Sequence, residues 1–189
     1  MSYDMPRDLM LSGSDVYLRK LDNSDVSERY VGWLNDPETN RHMECRFTKW
    51  TIENLNAYVR QRQNPNEYFF AICLINDNRH IGTVKLGPIT ANHLTADIGL
   101  LIGDKRCWGK GFGTEAIRLA TDFSFRELKL QKLIAGAYID NIASIKAFEK
   151  CGYLREGYLR SHLYSEGRMV DAVLYSYIAA DFAKHLPQA

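Results

Sequence analysis

Runs of apolar residues and alternating apolar and polar positions predict the strands of this chain. Residues 68–75 are almost continuously apolar, which is typical of a strand buried on both faces. The Asn76-Asp77-Asn78 turn that follows predicts a hairpin with the next strand. The other strands are predicted at residues 16–20, 79–86, 94–103, 133–139, 153–163 and 169–179.

Apolar residues spaced three and four positions apart predict four helices. Ser24 or Asp25 is expected to cap the first helix, with Glu28 completing a capping box, and the Asn35-Asp36-Pro37 stretch is expected to end it. Thr51 is expected to cap the second helix. The remaining helices are predicted at residues 113–128 and 141–150.

The order of these elements predicts the architecture. Consecutive strands without a helix between them pair antiparallel, whereas the strand–loop–helix–strand unit over residues 94–139 introduces one parallel pair. We therefore expect an α/β (α+β) fold, with a mixed, mostly antiparallel central sheet of about seven strands and helices on both faces. A length of 189 residues without a linker or a repeat predicts a single domain over residues 1–189.

Composition and charge argue against several classes of function. The chain has 24 basic and 23 acidic residues, and a net charge of +1 argues against bulk binding to nucleic acid or to membranes. Residues 1–13 are polar, unlike a signal peptide, and we expect a cytoplasmic protein with reduced thiols. The four cysteines lack a C-x-x-C pair and the five histidines lack metal-ligand spacing, so no metal site is predicted.

The segment 107–116 carries the strongest chemical signal. Three glycines alternate with Lys110 and Phe112 between a predicted strand and a predicted helix. Such a loop leaves backbone N–H groups unpaired at the positive end of the helix dipole, which favours binding of a phosphate. Gly111 stands where a Walker loop needs Ser or Thr, and Thr114 stands at the third glycine of a dinucleotide fingerprint, so both motifs are excluded. The alternative is a turn that only connects strand and helix.

Two motifs in the expected order resemble those of the GNAT superfamily of N-acetyltransferases, and within it the ribosomal-protein alanine N-acetyltransferase branch. They are the strand and loop over residues 98–116 and the helix over residues 141–153. The family loop Q/R-x-x-G-x-G/A fits residues 106–111 literally, and residues 108–113 except for Trp108. We prefer the second register because its last glycine lies at the start of the helix. The resemblance covers nearly the whole chain and implies the GNAT fold, with the sheet splayed at the strand before the loop.

The resemblance implies acetyl-coenzyme A as co-substrate. The pyrophosphate is expected over residues 109–114, and the pantetheine arm beside Leu101 and Ile102, where backbone N–H groups near Leu101 would also stabilise the oxyanion. Asn141 matches a family position that hydrogen-bonds the arm, and a plain helix cap is an equally good alternative. The expected cofactor contacts are Leu101, Ile102, Trp108, Gly109, Lys110, Gly111, Phe112, Gly113, Thr114, Asn141, Ser144 and Phe148.

The expected chemistry is direct attack of a primary amine on the thioester in a ternary complex. An α-amine with a pKa of about 7.7–8.0 is partly neutral near pH 7, so positioning and oxyanion stabilisation can supply most of the rate. Phe148 stands where many relatives carry a Tyr general acid, so Ser144 or Tyr138 is the candidate acid, with solvent as the alternative. Asp97 is the candidate base, and its alternative role is a polar residue on the solvated side of a strand. Cys151 lies at a helix C-terminus, which disfavours a thiolate intermediate.

The segment 33–47 is expected to form the wall of the acceptor pocket. Glu44 is the candidate for holding the ammonium group of the acceptor, and an ion pair with Arg41 or Arg46 is the alternative. Three hypotheses stay open: a protein N-terminal amine, which the resemblance favours, a nucleotide-linked amino sugar, and a non-catalytic acyl-coenzyme A sensor. The expected partners are acetyl-coenzyme A and an amine, without nucleic acid or membrane, and the protein is expected to be a monomer or a homodimer.

Overall fold

An eight-stranded sheet organises the chain. The structure, a computed structural model, describes residues 5, 6 and 8–184. The strands are β1 (Met10–Ser12), β2 (Val16–Lys20), β3 (Tyr68–Leu74), β4 (His80–Thr90), β5 (Thr95–Ile102), β6 (Lys132–Tyr138), β7 (Leu154–Ser165) and β8 (Arg168–Ile178). The helices are α1 (Glu28–Asn35), α2 (Pro37–Asn40), α3 (Ile52–Gln61), α4 (Phe112–Arg126), α5 (Ile142–Lys150) and α6 (Ala179–Lys184), and 3-10 turns lie at Asn23–Asp25, Glu44–Phe47 and Lys105–Cys107.

The sheet has the strand order β1-β2-β3-β4-β5-β6-β8-β7. Neighbouring strands are antiparallel except β5 and β6, which form the predicted parallel pair. This pair joins residues 95–97 to residues 132–134 and extends no further, so the two strands then separate. The separation divides the sheet into an N-terminal half, β1–β5, and a C-terminal half, β6–β8. The expected mixed sheet, splayed at the strand before the glycine loop, is confirmed.

Two apolar layers cover the two faces of the sheet. Helices α4 and α5 pack over the larger layer, to which β5 contributes Ala96 and Ile98. Helices α1 and α3 pack over the smaller layer, to which β5 contributes Leu101. Because side chains alternate along a strand, Asp97 and Gly99 lie on the same face as Leu101. These three residues therefore lie on the side of the sheet that α1 and α3 cover.

The start of α1 differs from the sequence prediction. Ser27 is the N-cap, and its hydroxyl accepts the N–H of Tyr30 at 3.3 Å. Neither Ser24 nor Asp25 caps this helix. Asp25 is buried in the preceding 3-10 turn, where its carboxylate accepts two hydrogen bonds from Arg19, at 2.6 and 2.9 Å. The predicted capping box is wrong because Asp25 belongs to this earlier turn, where its carboxylate also accepts the N–H of Asp22, and α1 begins only at Glu28.

The other predicted boundaries hold to within a few residues. Thr51 caps α3, and its hydroxyl accepts the N–H of Asn54. α1 ends at Asn35 as predicted, but Asp36 then caps the short helix α2, where a loop was expected. β1 is an additional strand of three residues, too short to produce a pattern in the sequence. No helix within residues 8–184 combines the length and the apolar character needed to cross a membrane.

Candidate active site

A cavity of about 710 Å³ lies where β5 and β6 separate. Its walls come from strands β3 to β6, helices α1, α2, α3 and α5, the 3-10 turn Glu44–Phe47, and the glycine loop with the start of α4. Three predicted site residues, Asp97, Lys110 and Tyr138, do not line it. The predicted residues that do line it are Glu44, Leu101, Ile102, Trp108, Gly109, Gly111, Phe112, Gly113, Thr114, Asn141, Ser144 and Phe148.

The glycine loop leaves the start of α4 open toward this cavity. Gly109 and Gly111 have left-handed backbone, with φ of 72° and 88°, and Gly111 is the N-cap of α4. No side chain caps this end of the helix. A Cβ on either glycine would meet no atom within 4 Å, so both glycines face open space. Uncapped N–H groups at the positive end of a 15-residue helix fit an anion such as a pyrophosphate.

Glu115, in the first turn of α4, does not compete for this anion site. Its carboxylate accepts the N–H groups of Ser14, Asp15 and Val16, the last two at 3.2 Å. These bonds fasten the turn before β2 to α4 and direct the negative charge away from the loop. Lys110 lies toward the same side, in a separate cavity of about 280 Å³ that Ser14 and Asp15 also line. A phosphate contact by Lys110 therefore stays a prediction.

Trp108 joins the glycine loop to the end of β5. Its indole Nε1 donates to the carbonyl of Ile102 at 2.7 Å. The N–H of Gly103 donates to the carbonyl of Ile81 on β4, so the backbone groups of the neighbouring Ile102 face the opposite side, toward the cavity. A cofactor arm that pairs with Ile102 would share this carbonyl with Trp108 or displace the indole. Trp108, which stands where the family motif has Gln or Arg, thus links the glycine loop to the end of β5.

Helix α5 brings three predicted residues to the cavity. Asn141 Oδ1 accepts the N–H of Ser144 at 3.2 Å, so Asn141 does cap this helix. Phe148 is buried at the cavity wall, with 2% of its surface exposed. Cys151 Sγ donates to the carbonyl of Thr114 at 3.3 Å, and burial raises the pKa of this thiol to about 11. A thiolate at Cys151 is disfavoured, in agreement with the sequence analysis.

Residues 41–47, which we call the acceptor strap, bridge the two halves of the sheet. The strap lies between α2 and α3 on the N-terminal half, yet three of its side chains reach the C-terminal half. The contacts are His42 Nε2 to Asp140 Oδ1 at 3.2 Å, Glu44 Oε1 to the hydroxyl of Tyr138 at 2.7 Å, and the guanidinium of Arg46 to the carbonyl of Tyr164. The strap therefore spans the opening of the sheet beside the cavity.

Glu44 has no ion-pair partner in the part of the chain that the structure describes. Arg46 donates to the carbonyls of Arg41 and Tyr164 instead of to Glu44, and its guanidinium lies 5.0 Å from the ring centroid of Tyr138. The expected alternative, an ion pair of Glu44 with Arg41 or Arg46, is not found. Burial and the neighbouring carboxylate raise the pKa of Tyr138 to about 12, so its hydroxyl keeps its proton and donates it to Glu44.

Asp97 lies beside the cavity and not in its wall. It is the last residue of β5 that pairs with β6, opposite Ile134, and its side chain is exposed. Loss of hydration raises the pKa of this carboxyl, and the charge of Lys85 opposes the shift. Gly99, two residues further on the same face, does line the cavity. A base at Asp97 would therefore act through solvent, and this role stays a prediction.

The acceptor side of the cavity is largely aromatic. Its apolar lining includes Tyr30, Leu34, Trp50, Tyr58 and Phe69. Lys85 lines the same side, and its ammonium lies 3.4 Å from the carboxylate of the buried Glu67. The second carboxylate of the lining, that of Glu38, binds Lys105 at 2.7 Å. Among the described residues, no cation pairs with the carboxylate of Glu44, in contrast to that of Glu38.

Two features of the site escaped sequence analysis. The contact between Glu44 and Tyr138 joins residues 94 positions apart, and nothing in the local sequence of either residue signals it. Lys146 and Lys150 also line the cavity from α5. Their spacing of four residues places them on one helix face, which the helical pattern itself could have indicated.

Comparison with known proteins finds clear relatives. The family model described as the acetyltransferase (GNAT) domain matches residues 15–154. The chain is 35% identical over 169 residues to the probable N-acetyltransferase YjcK of Bacillus subtilis, covering 84% of this chain and 91% of that protein. It is 33% identical over 170 residues to a spermidine N(1)-acetyltransferase of Vibrio cholerae, covering 84% of this chain and 90% of that protein.

Solved structures share the fold. A spermidine N-acetyltransferase from Vibrio cholerae, in complex with CoA and spermine, matches with a TM-score of 0.81 at 23% identity, over 90% of this chain and 99% of that one. The ribosomal-protein-S5-alanine acetyltransferase from Vibrio fischeri matches with a TM-score of 0.74 at 24% identity, over 92% and 98% of the two chains. At these identities the likeness concerns the fold.

Proposed function

The chain belongs to the GNAT family of acetyl-coenzyme A-dependent N-acetyltransferases, and on that premise we propose that its acceptor is the free α-amine of a polypeptide N-terminus. The observation that carries the proposal is the carboxylate of Glu44 in the cavity wall, which has no ion-pair partner among the described residues. Arg41 lines the same region, and the ammonium of Lys85, also in the lining, is paired with the buried Glu67. Such a wall suits an acceptor with one ammonium group and a neutral or acidic remainder.

Acetyl-coenzyme A supplies the activated thioester, and the residues around the cavity fit it. The uncapped start of α4 and the left-handed glycines of the loop would hold its pyrophosphate. The backbone of Ile102, which faces the cavity, would hold its extended arm. The N–H groups on this edge of β5 would also stabilise negative charge on the carbonyl oxygen during transfer.

Few side chains are needed for the chemistry itself. An α-amine is partly neutral near pH 7, so the chain has to orient it and remove one proton. Asp97 would accept that proton through solvent, and the Ser144 hydroxyl, which lines the cavity, would protonate the leaving thiolate and regain its proton from solvent. Phe148 supplies no proton and would pack beside the thiol end of the arm.

Spermidine is the second candidate acceptor, because a relative 33% identical to this chain carries that name. A polyamine has several ammonium groups and would gain from several free carboxylates. Here Glu38 is bound by Lys105, so Glu44 is the one lining carboxylate without a cation among the described residues. This arrangement favours the N-terminal amine. A nucleotide-linked amino sugar, whose phosphates Arg41 or Lys85 would suit, is the further alternative.

The test is thiol release from acetyl-coenzyme A with three acceptors in parallel. We expect a short peptide with a free alanine N-terminus to give a higher kcat/KM than spermidine or a nucleotide-linked amino sugar. The same peptide with an acetylated N-terminus is the control and should release no thiol. A higher kcat/KM for either small molecule would overturn the proposed acceptor. Binding of CoA without thiol release on any acceptor would favour the sensor hypothesis instead.

A further inference from the structure

We propose that Tyr138 is a positioning residue for the acceptor amine, because it holds the Glu44 carboxylate in the cavity wall from the opposite half of the sheet. This inference rests on the acceptor role of Glu44 proposed above. It assigns to the end of β6 a function in acceptor binding, although β6 lies far along the chain from the acceptor strap.

The geometry separates Tyr138 from the reacting groups. Tyr138 is the last residue of β6, four residues after Ile134, where the pairing with β5 ends. Only 5% of its surface is exposed, and it does not line the cavity. Its hydroxyl donates to Glu44 Oε1 at 2.7 Å, while Glu44 itself lines the cavity. Tyr138 therefore contacts Glu44 on the side away from the cavity, and it acts on an acceptor only through this carboxylate.

Glu44 needs such support because its own segment restrains it weakly. It begins a 3-10 turn of four residues, and no side chain caps that turn. A glutamate side chain has three rotatable bonds and loses considerable conformational freedom when one rotamer is fixed. A hydrogen bond from a buried hydroxyl that keeps its proton can fix that rotamer before the acceptor arrives.

The ring of Tyr138 is held by the strap in return. The guanidinium of Arg46 lies 5.0 Å from the ring centroid, and the ring of His42 lies 5.5 Å from it. Both residues also contact the C-terminal half: His42 contacts Asp140, and Arg46 donates to the carbonyl of Tyr164. The hydroxyl–carboxylate bond is thus one part of a contact network that spans the opening of the sheet.

Steady-state kinetics of a double-mutant cycle tests the proposal. The variants are Tyr138→Phe, Glu44→Ala and the double variant, with the alanine peptide as acceptor, because alanine removes both the charge and the oxygen that accepts from Tyr138. We expect Tyr138→Phe to raise the KM for the peptide about fivefold, equivalent to about 1 kcal/mol, with kcat within about twofold. In the Glu44→Ala background the same change should add less than about twofold. The matched control is Tyr175→Phe. Tyr175 is equally buried, and its hydroxyl donates a hydrogen bond of 2.8 Å to the carboxylate of Glu149, which is not part of the acceptor strap.

Three kinetic outcomes overturn the proposal. One is a loss of kcat in Tyr138→Phe at unchanged KM, which would indicate a general acid. The second is an equal change of KM with and without the Glu44 carboxylate, and the third is no change of KM at all.

A crystal structure of Tyr138→Phe provides a readout that needs no acceptor. We expect the Glu44 carboxylate to leave its position in the cavity wall or to occupy several rotamers. An unchanged single rotamer overturns the role of Tyr138. If the peptide is no acceptor, the proposed function fails in the kinetic experiment, and the crystal structure still decides the role of Tyr138.

Discussion

The glycine loop and the acceptor strap line one cavity, but they are built differently. The loop consists of consecutive residues, and the groups that it offers are backbone N–H groups at the start of α4. The strap depends on side chains whose partners lie 94 and 118 positions away in the chain. The loop needs a backbone conformation, whereas the strap needs particular side chains in a particular tertiary arrangement.

If the loop binds CoA and Glu44 binds the acceptor, as we propose, this difference separates cofactor binding from acceptor choice. Replacement of Glu44 or Tyr138 leaves the backbone of the loop in place, so the acceptor can change while the co-substrate does not. A replacement at Gly111 acts on every acceptor equally, because it changes the site that all of them share. Variable side chains on a rigid scaffold are a general way to alter specificity within one fold.

The largest expected effect is at the loop. A Gly111→Val change forces a β-branched residue into left-handed backbone at φ 88° and places its side chain in the space expected for the pyrophosphate. Because the side chain, or a shift of the loop that relieves the strain, would disturb the anion site, CoA affinity should fall at least about 10-fold by calorimetry.

The control for this change is Gly167→Val. Gly167 lies in the turn between β7 and β8, has φ 80°, and also faces open space. A valine at position 167 imposes a similar backbone strain at a site away from the glycine loop, so CoA affinity should stay unchanged. Equal loss of affinity in both variants, or none in Gly111→Val, would contradict the assignment of the loop.

The second prediction concerns the support of the acceptor side. His80 is buried under α1, with its ring 5.1 Å from Trp33 and 5.6 Å from Tyr30, and burial lowers its pKa to about 4. The unfolded chain, with a His pKa of about 6.5, binds more protons than the folded chain between these values. The free energy of unfolding should therefore fall as the pH drops from 6.5 to 4, by on the order of 2 kcal/mol from this residue.

The measurement is urea unfolding at several pH values. Other groups titrate in the same range, so the contribution of His80 is the difference between the native chain and His80→Gln, which cannot titrate. Asp25, whose carboxylate lies 4.0 Å from the imidazole, is present in both proteins. Identical pH dependence of the two proteins would exclude a neutral buried histidine as a support of α1.

The loop could be predicted from the sequence for a physical reason. Its strand, glycines and helix are contiguous, and backbone N–H groups do not depend on distant partners. The same holds for the Thr51 cap of α3. The cap at Asp25 was predicted wrongly because this residue belongs to the earlier 3-10 turn, where its carboxylate binds the guanidinium of Arg19, which belongs to another element. The partner of Glu44 was missed likewise, because only tertiary packing brings Tyr138 to it.

The third prediction tests the strap directly. Glu44→Gln keeps the shape of the side chain and an oxygen that can accept from Tyr138, but it removes the charge. The KM for the amine acceptor should rise about tenfold, as expected for loss of a hydrogen bond to a charged group, while CoA affinity stays the same. Glu53→Gln, an exposed glutamate on α3, is the control. A fall in CoA affinity or in thermal stability, at unchanged acceptor KM, would make Glu44 structural.

The smallest effect is expected at Phe148, which lines the same cavity as the loop and the strap. Phe148 lines the cavity from α5 but has no group that transfers a proton, and its ring lies 5.0 Å from that of Tyr153. Phe148→Tyr adds a hydroxyl that can face the cavity, so kcat should stay within about twofold of the native value in steady-state assays. Phe148→Leu, which keeps an apolar side chain, should bind CoA and remain active with reduced stability. If Phe148→Leu lost all activity while folding and binding CoA normally, the aromatic ring would take part in the transfer step. Binding of CoA by the loop and of the amine by the strap would then not be enough for acetyl transfer. The aromatic ring of Phe148 would be a third requirement.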